Sequence, residues 1–212
     1  MTNKINLFLA GLFFVLATAS CVPRPEGAAD SETIDIREDP LQLPLEGQEP
    51  IKISAQGYDI TIKPKAEYVL KGLVLSRKNY GSDWNSIISP CDLAVAWGKM
   101  TTTGLYKKVK WSQGNRWYYW RYDEGFPFDN SFIARYSANV HAIPANDNLR
   151  AALLHISSGD TLEAYGFLVY VDAVKGEGNF WWNSSLSRED AGDGSCEVMY
   201  IDEIQFRGMV YR

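Results

Sequence analysis

His141 stands in the run Ser137-Ala-Asn139-Val-His141-Ala-Ile-Pro144, and an imidazole is the side chain that exchanges protons near neutral pH. Arg135, Ser137, Asn139 and His141 alternate with Ala134, Tyr136, Ala138, Val140 and Ala142, so they form a polar ribbon on one face of a strand that could meet a ligand. No nucleophile is fixed beside His141 by spacing, which makes a satisfied structural histidine the plainer account of it. Arg188, Glu189, Asp190, Asp193 and Glu197 gather acids and a guanidinium near the C-terminus. An Arg–carboxylate staple explains them better than a calcium loop, whose ligands need a tighter alternate register. The third group is aromatic and cationic: Tyr106, Lys107, Lys108, Lys110 and Trp111, then Arg116-Trp117-Tyr118-Tyr119-Trp120-Arg121-Tyr122. This combination stacks on bases, sugars or peptide side chains, although Trp and Tyr are also good strand and core residues. A stacking platform would leave at least two rings of one face open to solvent. The candidate ligand-binding residues are thus Trp97, Trp117, Tyr119, Trp120, Arg135, Asn139, His141, Arg188 and Asp190. A phosphate-binding glycine loop, a nucleophile elbow, a His-Glu-x-x-His helix and a Cys-x-x-Cys pair are all missing, so no cofactor and no metal is implied and no catalytic residue is assigned.

The elements that must hold these residues are legible from period and punctuation. Residues 131–142 alternate as a strand, and Pro144 ends it. Asn146 offers a side-chain oxygen to the open N–H groups of a helix carrying Leu149, Ala152, Leu153 and Ile156 on one stripe. His155 lies off that stripe and reads as exposed. Gly159 suits the left-handed residue past the helix, Asp160 is a turn residue, and Leu162, Ala164, Leu168 and Tyr170 resume a strand. Upstream, Ile51–Ile53 and Tyr58–Lys63 form a hairpin around Ala55-Gln56-Gly57, Glu67–Lys78 is a strand and Cys91–Gly98 another. Residues 105–124 fold into a hairpin through a turn at Ser112–Asn115, Lys175–Ser195 is a long polar loop carrying Trp181-Trp182, and Cys196–Phe206 is the last strand. Gly72 and Gly166 sit in strand interiors, where glycine marks a bulge or a sharp bend. A kinked first strand, a helix between the third and fourth strands and a closing fifth strand give the order of the OB-fold, a five-stranded Greek-key barrel, here with an extra hairpin. The alternative is an open α+β sheet with the helix on one face.

The first twenty residues are not part of this domain. Lys4 precedes the uncharged apolar run Ile5–Ala17, too short for the roughly 20 apolar residues of a bilayer span but right for a signal-peptide core. Thr18-Ala19-Ser20-Cys21 resembles a bacterial lipobox, in which Cys21 becomes the lipidated first residue, with Thr18 standing where leucine is usual. Ordinary cleavage after Ala19 is the rival reading. Residues 22–50 carry five prolines, eight acids and two arginines and read as a disordered tether. The net charge of −5 lies in that tether, and residues 51–212 balance eighteen bases against eighteen acids. A neutral exported domain lacks the electrostatic footprint of a nucleic-acid binder. In an oxidising compartment Cys91 and Cys196 read as a disulfide, with two buried thiols as the alternative.

The motifs Asp92-Leu-Ala-Val-Ala-Trp97-Gly98, Asn139-Val-His141-Ala-Ile-Pro144, Gly159-Asp160-Thr-Leu-Glu-Ala-Tyr-Gly166 and Ser185-Leu-Ser-Arg188-Glu-Asp190-Ala-Gly-Asp-Gly-Ser-Cys196-Glu197 resemble those of an uncharacterised family of small exported or membrane-anchored bacterial proteins. The resemblance spans roughly residues 58–206 and implies one intact domain, but no reaction and no site residues. The expected function is a non-catalytic, lipid-anchored binding or assembly module of the cell envelope, with an envelope protein or glycan as partner. An envelope hydrolase centred on His141, Arg188 and Asp190 is one alternative, and an oligonucleotide-binding OB module is the other.

Overall fold

The computed structural model describes residues 22–31, 33–187 and 195–212. Among these the chain is mainly β, with twelve strands and three short α-helices. Strands β1 (Gly27–Ala28) and β2 (Leu41–Pro44) come from the supposed tether. β3 (Ile51–Ala55) and β4 (Tyr58–Asn79) form the expected hairpin, turning at Gln56 and Gly57 with φ of 52° and 80°. β4 is 22 residues long and fuses what the sequence suggests as two strands. After a 3-10 turn at Trp84–Ile87, capped by Asp83, come β5 (Cys91–Ala96) and α1 (Gly98–Thr102). β6 (Val109–Gly114) and β7 (Trp117–Tyr122) make the aromatic hairpin, turning at Asn115-Arg116 rather than at 112–115. Then follow α2 (Asn130–Arg135), β8 (Ser137–Pro144), α3 (Asp147–His155), β9 (Thr161–Lys175), β10 (Gly178–Asn183), β11 (Glu197–Phe206) and β12 (Met209–Tyr211).

Every strand except β6 and β7 belongs to one ten-stranded sheet. Its central pairings run in a circuit, β4–β5–β8–β11–β9 and back to β4, antiparallel at each step but β8–β11. α3 lies between β8 and β9 in the chain and plugs the principal core with Leu149, Ala152 and Leu153, all fully buried. Its N-cap is Asn146, whose side chain accepts from the Leu149 N–H at 2.9 Å, as the sequence indicates. Two further clusters flank that core. One, built on Ile60, Ile62, Val171 and Val198, continues into Tyr58, Trp84 and Trp182. The other, built on Leu73, Leu75, Ala94, Met100 and Ile133, lies beneath the β6–β7 hairpin. The interior glycines mark close approaches. A Cβ at Gly166 (φ 152°) would fall on the Tyr200 carbonyl oxygen, and one at Gly72 on the Val95 side chain. β9 pairs with β11 through a register shift at Ile201/Glu203.

Three further expectations change here. Residues 131–136 are not strand: Asp129 caps α2 by accepting from the Ser131 and Phe132 N–H groups, and helical geometry delivers Ile133 to the third cluster. Residues 178–183, read as loop, pair with β9 as an edge strand. Residues 22–50 are not a detached tether. β1 pairs with β12, β2 pairs with β4, Gly98 donates to the Ile36 carbonyl at 2.9 Å and Arg24 exchanges hydrogen bonds with Asn148. Cys21, the expected lipidation residue, lies outside the described residues.

Candidate functional site

The register of β5 against β8 sets Asp92 directly opposite His141, and both are buried, at 0% and 2% exposure. His141 Nδ1 lies 2.9 Å from Asp92 Oδ1, though out of line for a hydrogen bond. Asp92 is held instead by Arg116, whose Nη1 donates to the same oxygen at 2.8 Å. The other edge of the guanidinium grips Asp83 through two bonds, Nε to Oδ2 at 2.8 Å and Nη2 to Oδ1 at 2.9 Å. Nη2 also reaches the Ser89 carbonyl at 3.1 Å. Tyr80 covers one face of the guanidinium, 3.9 Å from Cζ to the ring centroid, and Trp182 lies 5.4 Å away. The turn itself forces this placement. Arg116 has φ of 66°, rare for a residue with a side chain, and its own N–H donates to the Tyr80 hydroxyl at 3.0 Å.

Burial works against the Arg116 charge, but hydrogen bonds and charges from Asp83 and Asp92 more than offset it and hold its pKa above the ordinary value. The bond from Arg116 holds the Asp83 carboxyl below its ordinary range against partial burial. Tyr80 is raised, first by burial and then by the Asp92 charge. Two carboxylates therefore face one guanidinium beside an imidazole.

Over this cluster opens a cleft of about 390 Å³, lined by Arg116, Trp117, His141, Trp181, Trp182, Asn183 and Cys196. The Trp182 and His141 rings are 4.3 Å apart between centroids. Trp181 is 67% exposed and Tyr119 50%. His141 thus meets the cleft with a ring whose Nδ1 edge lies against Asp92.

The sequence candidates separate accordingly. His141 and Trp117 line the cleft, and Asn139 lies beneath its wall, buried, with its amide donating to the Arg116 carbonyl at 3.0 Å and accepting from Gln113 at 2.7 Å. The polar ribbon is thus not a solvated face: the β6–β7 hairpin covers Ser137 and Asn139. Arg135 is on α2, paired with Asp39 at 2.5 Å, and takes no part. Trp97 is fully buried in the principal core. Trp120 turns to the underside of its hairpin with Tyr118 and Tyr122, and its indole donates to Asn130 at 2.8 Å; only Trp117 and Tyr119 share the outer face. Arg188 and Asp190 lie outside the described residues.

No disulfide joins Cys91 and Cys196. Cys91 faces α3, its sulfur 4.0 Å from the Leu153 carbonyl, and burial pushes its thiol up to about 12. Cys196 is on the other side of the sheet, where the Asn139 amide nitrogen lies 3.8 Å from its sulfur. Opposite faces, rather than distance along the chain, keep the two apart.

Asp83, Asp92 and Arg116 escape a reading by motif, since 33 and 24 residues separate the arginine from its carboxylates. The signals available are the Trp181-Trp182 pair and an arginine lodged in a turn between aromatic strands. Among the described residues, no three His, Cys, Asp or Glu side chains gather as a metal ion would require. No family model, no curated protein and no solved structure matches the chain.

Proposed function

We propose that this chain is an exported, lipid-anchored module that captures a cell-envelope ligand, glycan or protein, in the tryptophan-lined cleft. One observation carries the reading: Trp117, Trp181 and Trp182 surround a concave space of about 390 Å³ whose floor is the Arg116–Asp92–His141 cluster. Flat apolar walls above a few fixed polar groups suit a ligand with one stacking face and several hydroxyl or amide groups. Export rests on the apolar leader, and anchoring on Cys21 at its end.

The architecture we infer is an OB-like barrel. In its favour are the pairing circuit, the parallel third and fifth strands (β8 and β11), and the helix α3 between the third and fourth (β8 and β9). Barrels of this kind bind oligonucleotides on the second and third strands. Here Ser137 and Asn139 on the third strand lie under the aromatic hairpin, and residues 51–212 are charge-neutral, so the nucleic-acid alternative loses both its face and its electrostatics.

Detergent-solubilised full-length protein should bind isolated envelope material, read by tryptophan fluorescence. Trp181→Ala should weaken that binding about tenfold, the loss of one stacking contact. Unchanged affinity in Trp181→Ala, Trp117→Ala and the double variant would remove the cleft from the proposal.

A further inference from the structure

The sequence assigns Cys196 to a disulfide, but the fold puts its thiol on the wall of the cleft, in the company of a buried histidine. We propose that Cys196 is a nucleophile, that His141 is its base and Asp92 the positioning residue of that base, and that the cleft acts on an acyl compound, an ester or amide.

Placement comes first. The parallel register pairs Val198 with His141 and Glu197 with Val140, and Cys196, just before β11, contacts the Asn139 amide and lines the cleft with His141, which places it on their face of the sheet. Next comes the base. The Nδ1 edge of the His141 ring lies against Asp92, Asp92 is fixed by Arg116, Trp182 packs on the ring, and His141 lines the same cleft as Cys196, so Nε2 is the nitrogen left to act as base. Finally, the Asn139 amide points a donor at Sγ from 3.8 Å, an arrangement that favours the thiolate over the thiol. Cys91, fully buried against α3, has none of these features and serves as an internal control.

In the first step the thiol proton passes to His141 Nε2 and an Sγ–C bond forms at the carbonyl carbon. The same proton then goes to the leaving amine or alcohol as its bond to that carbon breaks. Water next attacks the thioester, giving a proton to His141, and that proton returns to sulfur as the S–C bond breaks. The balance is hydrolysis of one acyl bond, with no redox change and no further reactant.

The test is labelling of full-length protein with iodoacetamide, mapped by mass spectrometry. Near neutral pH, Cys196 should react about tenfold faster than free cysteine, and Cys91 should stay unlabelled in the folded protein. His141→Asn should slow Cys196 by about tenfold or more while Cys91 remains protected, which reports that the variant is folded. Asp92→Asn should move the pH at which labelling sets in. With p-nitrophenyl acetate, an acetyl group should appear on Cys196, and the Cys196→Ser variant should lose the turnover. The proposal is overturned if Cys196 reacts like free cysteine and His141→Asn leaves its rate unchanged, or if the isolated protein carries Cys196 in a disulfide. Neither result touches the Trp181-dependent binding, because labelling needs no envelope ligand and no anchor.

Discussion

Arg116 neutralises two carboxylates at once, and one of them, Asp92, has no exposure to water. Removing the guanidinium strands that charge. Arg116→Met should cost about 3–5 kcal/mol in urea unfolding, and Arg116→Lys should restore little of it, because an ammonium cannot span Asp83 and Asp92 with a planar fork. Acid should act on the same cluster. The folded pKa of Asp83 lies below its unfolded value of about 3.9, so its contribution is complete above that pH and is lost as pH falls through the folded value. Stability measured below about pH 4 should therefore fall less steeply in Asp83→Asn than in the parent. Asn139 and His141 were readable in the sequence, since alternation alone places them on one face. Their partners were not, because the facing of Asp92 and His141 is a property of strand pairing and carries no local mark.

Among the elements, the interior glycines Gly72 and Gly166, read as bulges or bends, mark close approaches instead, and the register shifts fall at other residues. At Gly166 no side chain fits, since a Cβ would overlap the Tyr200 carbonyl oxygen and φ is 152°. Gly166→Ala should cost about 3 kcal/mol in denaturant unfolding, whereas Gly81→Ala, with open space around it, should fall within about 0.5 kcal/mol of the parent. The capped helix α3 was plain from Asn146 and its apolar stripe. α2 was not: Phe132, Ala134 and Tyr136 alternate as a strand would, and only the Asp129 cap, with the Phe128–Phe132 stack at 4.0 Å, turns the segment helical. β10 was hidden for a different reason. Glycine on either side of Glu177 and polar residues beyond Trp182 give it the composition of a loop, and its strand character comes from pairing with the far longer β9.

For the whole molecule, the pairing of β1 and β2 with the rest of the sheet has the largest consequence. The proline and acid content of residues 22–50 argues for disorder, yet Ile36 enters the third cluster and β1 and β2 cover the edges of β12 and β4. Deleting residues 22–44 should therefore lower the thermal midpoint by about 5 °C or more in calorimetry. Replacing Cys21 by Ser should move the protein from the membrane fraction to the soluble one, and continued membrane retention would refute the anchor. β4 gives the molecule its other overall property. This one segment supplies Ile60 and Ile62 to the second cluster, Tyr68 and Leu70 to the first, and Leu73 and Leu75 to the third. No fragment ending between residues 58 and 79 can keep a complete interior, and heat should melt all three regions in a single sigmoid. Because β4 must also find β9 across residues 80–160, its recovery from denaturant should be slow for its size.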